Sequence, residues 1–92
     1  MERIEKVIII SEENHGVIGV AVDRESAIRW LIQTDWINAG TDFRVDNKWQ
    51  TVEQLFGERW RERLVEQDEE FFEGQFYFYE RDLIGAIYEI FT

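Results

Sequence analysis

The sequence predicts an α+β fold in which one four-stranded antiparallel sheet, built from two β-hairpins, carries two helices on one face. Three observations support this prediction: a β-branched hairpin pattern near the N-terminus, two segments with apolar residues at helical spacing, and an alternating Phe/Tyr segment near the C-terminus. The elements then follow in the order β-β-α-α-β-β. With 92 residues and 45% hydrophobic content, we expect a single domain over residues 1–92.

The first hairpin is predicted from two short apolar runs separated by a polar turn. Residues 4–11 contain Val7–Ile10, a β-branched run that is apolar on both faces and indicates a central, well-covered strand. Residues 17–22 form the partner strand. Asn14 or Gly16 can supply the positive φ angle that the turn between them requires.

The first helix is predicted over about residues 24–33, where Ala27, Ile28, Leu31 and Ile32 recur at helical spacing. Asp23 is expected to cap its N-terminus. The stretch 34–50 that follows shows no clear period, with turns expected at 38–40 and 46–47 and a short extended piece at 43–45.

The second helix is predicted to begin at a capping box formed by Thr51 and Gln54 and to reach about Gln67. Gly57 is expected to kink or split it, because glycine lowers helix stability by about 1 kcal/mol relative to alanine. The acidic stretch 68–73 either prolongs this helix or forms a loop.

The second hairpin is predicted from strands over residues 75–81 and 86–91, joined by a turn at 82–85. Successive side chains of a strand point to opposite faces, so the alternation of Phe and Tyr separates the two kinds of ring. We expect the Phe pair, Phe76 and Phe78, in the core and the Tyr pair on a half-exposed face.

Composition excludes several kinds of function. The chain has no cysteine and one histidine, which rules out disulfides, thiolate metal sites and Cys–His nucleophiles, and no phosphate-binding glycine loop is present. We therefore expect no enzymatic activity and no cofactor. A net charge of −10 argues against direct binding to nucleic acid or an anionic membrane, and favours a basic protein partner. No signal peptide or membrane span is recognised, so we expect a cytoplasmic protein.

Acidic residues in the C-terminal half are the main candidates for a binding surface. Glu58, Glu62, Glu66 and Glu70 recur every four residues, which on one helix would form a row with about 6 Å between neighbours. Residues 66–73 contain five acids and no base. Alternatively, this is a solvated helix face in which arginines 59, 61 and 63 interleave with the acids. The predicted partner-binding residues are Glu58, Glu62, Glu66, Asp68, Glu69, Glu70, Glu73, Tyr77 and Tyr79.

Aromatic residues form the second candidate set, comprising Tyr77, Tyr79 and Tyr88, with Trp36 and Trp49 as further members. Tyr and Trp are typical anchors of protein interfaces. Beside acids they suit a partner rich in arginine, whose guanidinium groups stack on rings and pair with carboxylates. Alternatively, these rings simply fill the core of a small domain.

His15, with Glu12 and Glu13, is a weak candidate for a divalent metal site, because imidazole and carboxylate groups are both metal ligands. A polar hairpin turn is the alternative, and we expect no metal there.

The segments Val7–Ala21, Ala27–Ile32 and Thr51–Trp60 together resemble small acidic proteins encoded by phages of Gram-positive bacteria. Some small acidic phage proteins inhibit host defence, among them type II-A anti-CRISPR proteins that block the DNA-binding cleft of the effector nuclease, and antirestriction DNA mimics. The resemblance implies a non-enzymatic inhibitor, acting in the cytoplasm of the bacterial host, whose acids stand in for phosphates. No residue of a known inhibitor maps onto a position of this sequence. The alternative is a small acidic phage structural or interaction protein that forms a homodimer.

Overall fold

The computed structural model describes residues 6–84 and confirms the α+β class. Within that range the helices and strands are short, and a 3₁₀ turn at Gly57–Arg59 separates the second helix from the third. The elements are β1 (Lys6–Glu12), β2 (Gly16–Ala21), α1 (Arg24–Gln33), β3 (Asp42–Val45), β4 (Lys48–Thr51), α2 (Val52–Phe56), α3 (Trp60–Val65), α4 (Glu69–Phe72) and β5 (Phe76–Asp82).

The prediction of one four-stranded sheet is wrong, because the five strands within residues 6–84 divide between two sheets. Strands β2, β1 and β5 form one antiparallel sheet in that order, and β3 pairs with β4 in a second. The second sheet is a hairpin closed by Asp46 and Asn47, whose positive φ angles of 52° and 65° suit a tight two-residue turn. Its strand β4 was not predicted.

The predicted turn of the C-terminal hairpin is wrong. Strand β5 extends to Asp82, and Leu83 and Ile84 are helical, where the sequence predicted a turn over residues 82–85. The predicted strand over residues 86–91 lies outside the described residues.

Strand β1 is the central strand of the larger sheet, as its apolar run predicted. Ile9 lies opposite Val20 on one side and Tyr79 on the other, and Ile10 opposite Gly19 and Phe78. Both isoleucines are fully buried. Because side chains alternate across the sheet, Ile10 faces the helices with Phe78, whereas Ile9 shares the opposite face with Tyr79.

The main core lies between the larger sheet and the helices. It contains buried residues of α1, α2, α3, α4 and three strands, with Phe43 and Phe72 the largest fully buried side chains. The predicted separation of rings along β5 is confirmed: Phe76 and Phe78 are 4% and 8% exposed, whereas Tyr79 is 40% exposed.

The predicted helix caps are confirmed. The Asp23 carboxylate accepts a hydrogen bond from the Ser26 backbone N–H at 2.7 Å. Thr51 and Gln54 form the reciprocal capping box, with hydrogen bonds of 3.1 and 2.9 Å. Such caps stabilise a helix by about 1 kcal/mol because they satisfy backbone donors that have no partner within the helix.

Gly57 splits the second helix, as predicted, since its φ of 73° ends α2. The expected continuation to Gln67 is wrong, because α3 ends at Val65. Asp68 then caps a separate helix, α4, so the acidic stretch neither prolongs the preceding helix nor forms a plain loop.

Candidate protein-binding groove

Helix α4 is capped at its start, and a short connection joins its end to strand β5. Asp68 begins α4 by accepting a hydrogen bond from the Phe71 N–H at 3.2 Å. After the helix, Gly74 adopts a φ of 92°, which turns the chain back into β5. The Gln75 side chain donates a 2.6 Å hydrogen bond to the Asp42 carbonyl and so fixes this connection to β3.

Phe72 anchors α4 to the core. Its ring is fully buried and makes edge-to-face contacts with Phe43 and Phe78, at centroid distances of 5.8 and 5.4 Å. Aromatic pairs in this geometry stabilise by about 0.5–1.5 kcal/mol beyond the area that they bury. A helix of only four residues therefore keeps a defined position beside β5.

A groove of about 430 Å³ lies between α4 and β5. Three acids line one side of the groove: Glu69 and Glu70 of α4, and Glu73, which follows the helix. Four consecutive aromatic residues of β5 also line it: Phe76, Tyr77, Phe78 and Tyr79. Five of the nine residues predicted to bind a partner are thus brought together here. No basic residue is among the described residues that line the groove.

The three groove carboxylates form no ion pair with the described residues. Glu69, Glu70 and Glu73 are all exposed, and no ion pair between residues 6 and 84 includes them. Carboxylates this near one another in sequence repel, and low-dielectric walls such as aromatic rings strengthen the resulting field. The groove is therefore suited to cationic groups.

Tyr77 and Tyr79 differ in their availability to a partner. Their rings are nearly parallel, 15° apart, with centroids separated by 6.4 Å. The Tyr77 hydroxyl donates a 2.7 Å hydrogen bond to the Glu13 carboxylate, and this bond raises the pKa of Tyr77 above its ordinary value. Tyr79 is more exposed, and the Arg81 guanidinium lies 5.3 Å from its ring centroid. This ring thus already contacts a guanidinium group.

The other predicted acids do not join the groove. Glu58 lies in the 3₁₀ turn, Glu62 in α3 and Glu66 beyond the end of α3, so the predicted single row on one helix is wrong. Glu62 is paired with Arg59 at 2.6 Å. One carboxylate oxygen of Asp68, Oδ1, accepts the capping hydrogen bond. Like the groove acids, all four remain exposed.

The remaining aromatic candidates are dispersed. Trp49 on β4 is 63% exposed, whereas Trp36 is half-buried and packs edge-on against His15 at 5.3 Å. Tyr88 lies outside the described residues.

The predicted His15 cluster does not converge. The His15 ring is hydrogen-bonded to the Glu12 carboxylate, and this bond is the main reason that the pKa of Glu12 lies below its ordinary value. The Glu13 carboxylate instead accepts from Tyr77. In the described part of the chain, no three histidine or acidic side chains are grouped so that they could hold a metal ion.

Sequence reasoning missed Arg24, which lies behind the groove. Its guanidinium carbon is 5.7 Å from the ring centroids of both Phe72 and Phe78. Its Nη2 atom is buried and has no hydrogen-bond partner within residues 6–84. Arg24 also lines a neighbouring depression together with Glu69 and Glu80. No local pattern pointed to this contact, because it joins α1 to elements about 50 positions away in sequence.

Comparisons with protein-family models, with curated proteins and with solved structures find no match for this chain. The family resemblance inferred from the sequence therefore stays a prediction. Among the helices of residues 6–84, none combines the length and the hydrophobicity needed to cross a membrane.

Proposed function

We propose that this chain is a non-enzymatic inhibitor that binds a basic, nucleic-acid-binding protein through the groove between α4 and β5. The observation that supports this proposal most directly is a set of three carboxylates beside Tyr79 that form no ion pair within residues 6–84, in a groove whose described lining contains no base. Carboxylates at the surface can occupy the positions of phosphates in an arginine-rich cleft. The resemblance to phage proteins makes a type II CRISPR effector nuclease the first target to test.

The test is a DNA-cleavage assay with the purified nuclease and its guide RNA. The protein is added either before or after the target DNA, at low and at high salt. Inhibition is expected only when the protein is added first, and it should weaken as salt rises because exposed charges are screened. Cleavage that is unaffected in either order would reject this target.

Two triple variants separate the groove from the general acidity of the chain. Glu69→Gln/Glu70→Gln/Glu73→Gln neutralises the groove, and Glu58→Gln/Glu62→Gln/Glu66→Gln removes the same number of charges elsewhere. We expect the groove variant to inhibit about 10- to 100-fold less well, since each charge pair at an interface rim contributes about 0.5–1 kcal/mol. The control variant should stay close to the wild type. Equal losses in both variants would show that net charge, and not the groove, is responsible.

Strand β2 favours a second candidate function, self-association as a small interaction protein. Its outer edge pairs with no other strand of residues 6–84, and Val17 and Val20 are 42% and 39% exposed. No charged side chain lies between Gly16 and Val22, so the edge lacks the usual protection against pairing. Sedimentation velocity at micromolar concentration would detect a dimer, and Val20→Lys should abolish it.

A further inference from the structure

Among residues 6–84, the groove lies along the edge of β5 that pairs with no strand, so the main chain at this edge can take part in binding. Strand β5 pairs with β1 on one side, and no strand of residues 6–84 pairs with its other side. All four β5 residues of the groove, 76 to 79, are consecutive, which places the groove beside the backbone and not over one face of the sheet.

The register identifies which backbone groups of β5 face outward. The Glu13 N–H donates to the Gln75 carbonyl at 2.9 Å, so this carbonyl points toward β1. In a trans peptide the next N–H points the opposite way, and antiparallel strands repeat this pattern every second residue. The N–H and C=O groups of Phe76, Phe78 and Glu80 therefore face the groove side.

We propose that a partner binds by adding an extended, basic segment to this edge, as a fourth strand beside β5. The inference rests on the proposed function and names the way in which the same groove would hold its partner. Main-chain hydrogen bonds would supply affinity, and pockets for alternate side chains would supply specificity.

The two faces of the sheet beside β5 determine which side chains the partner segment must carry. Helix α4 lies on the Phe face, because Phe72 contacts Phe78 at 5.4 Å. On an added strand, every second side chain would point to this face, toward Glu69, Glu70 and Glu73, and these side chains must be cationic. The intervening side chains would point to the Tyr face, beside Tyr79, where an aliphatic chain or a guanidinium packs well. The partner segment is thus extended, with a basic residue at every second position.

The experiment uses the full chain labelled with ¹⁵N and a synthetic eight-residue peptide that alternates arginine and valine. Amide hydrogen exchange is followed by NMR with and without the peptide. Strand addition predicts that the outward amides of Phe76, Phe78 and Glu80 exchange about tenfold more slowly or better when the peptide is bound, because each gains a hydrogen bond. The amides of Tyr77 and Tyr79, already bonded to β1, serve as internal controls and should change little.

A matched peptide isolates the role of the main chain. The same sequence is made with N-methyl groups either on every arginine or on every valine. Each version keeps all charges but loses the backbone N–H donors along one edge of the extended peptide. We expect one pattern to bind about tenfold more weakly and the other to bind like the parent peptide. Equal binding of all three peptides, without slower exchange at Phe76, Phe78 and Glu80, would overturn strand addition.

A protein variant gives a third, independent measurement. Glu80→Pro removes an outward N–H without removing a hydrogen bond to β1, and proline is tolerated at such edge positions. Glu80→Ala is its control, because it removes the same side chain but keeps the N–H. Peptide affinity should fall in Glu80→Pro and be retained in Glu80→Ala. Loss of affinity in both would assign the effect to the side chain and contradict the proposal.

Failure of strand addition and failure of the proposed function remain distinguishable. If the groove variant loses inhibition but the peptide experiments show no protected β5 amides, the acidic groove binds its target by side chains alone. If the peptide protects these amides but the wild-type protein does not inhibit the nuclease, the edge binds basic segments and the inhibitor proposal is wrong.

Discussion

The two outer strands of the larger sheet pair with the same central strand but present different chemistry to a partner. Strand β2 has no charged side chain, and it rests on α1 where Gly19 meets the ring of Trp30. Strand β5 ends in Glu80, Arg81 and Asp82 and has the acids of α4 beside it. Charged side chains next to a sheet edge commonly prevent pairing with strands of other molecules. They can also favour a partner of opposite charge.

The largest effect is expected on the β5 side, from removing the anchor of α4. Phe72→Ala should lower the free energy of unfolding by about 3–5 kcal/mol, since a fully buried ring is replaced by a cavity. Urea denaturation followed by circular dichroism measures this. Phe71→Ala is the matched control, because Phe71 is a half-buried neighbour on the same helix and should be less costly. Equal losses would show that Phe72 is not the particular anchor of α4.

A smaller loss of stability is expected on the β2 side. A Cβ atom added at Gly19 would lie 2.8 Å from the Trp30 ring, which is closer than side chains pack. Gly19→Ala should therefore destabilise by about 1–3 kcal/mol through forced movement of the ring. Thermal unfolding compared with Gly40→Ala, where the nearest atom would be 3.5 Å away, checks this. A melting temperature for Gly19→Ala as high as that of Gly40→Ala would mean that β2 is free to shift on α1.

The smallest effect concerns pH, at the turn between β1 and β2. The hydrogen bond from His15 holds the pKa of Glu12 below its ordinary value of 4.5. The unfolded chain therefore takes up the proton first as the pH falls, so Glu12 contributes stability above pH 4.5 and loses this contribution as the pH falls through the depressed value. Urea midpoints of the wild type and Glu12→Gln, measured from neutral pH down to about pH 3, should converge in acid.

Glu13→Gln is the control for this pH experiment, because the Glu13 carboxylate bonds to Tyr77 on the β5 side and not to His15. Glu13→Gln is introduced both into the wild type and into Glu12→Gln. The difference in urea midpoint between these two proteins should then depend on pH as it does without Glu13→Gln. A Glu12→Gln curve that runs parallel to the wild type at every pH would contradict the assignment.

The parts of the fold that were predicted correctly depend on neighbouring residues. The first hairpin, the Asp23 cap, the capping box at Thr51 and the break at Gly57 all arise from local backbone and hydrogen-bonding chemistry. Strand β4 was missed because its central residue Trp49 is exposed and the segment is too short to show an apolar period.

The pairing of β1 with β5 could not be read from the sequence, since it joins segments that are far apart in the chain. Five predicted binding residues do meet in the groove, because Asp68 and Gly74 turn α4 back against β5. The predicted row from Glu58 to Glu70 is wrong because the predicted continuous helix is wrong. Gly57 and Asp68 divide that helix into separate segments. Arg24 had no local pattern at all, so only the tertiary structure reveals its place behind the groove.

The anchoring of α4 by Phe72 has a consequence for how this surface can evolve. The buried Phe72 ring, its half-buried neighbour Phe71 and the capping Asp68 position the helix, while the carboxylates of Glu69, Glu70 and Glu73 form no ion pair with any residue from 6 to 84. Substitutions at these three positions should have little effect on folding, since surface changes away from caps and core rarely exceed about 0.5 kcal/mol. Variants of this chain could therefore drift in which partner they recognise while the fold stays under strict selection.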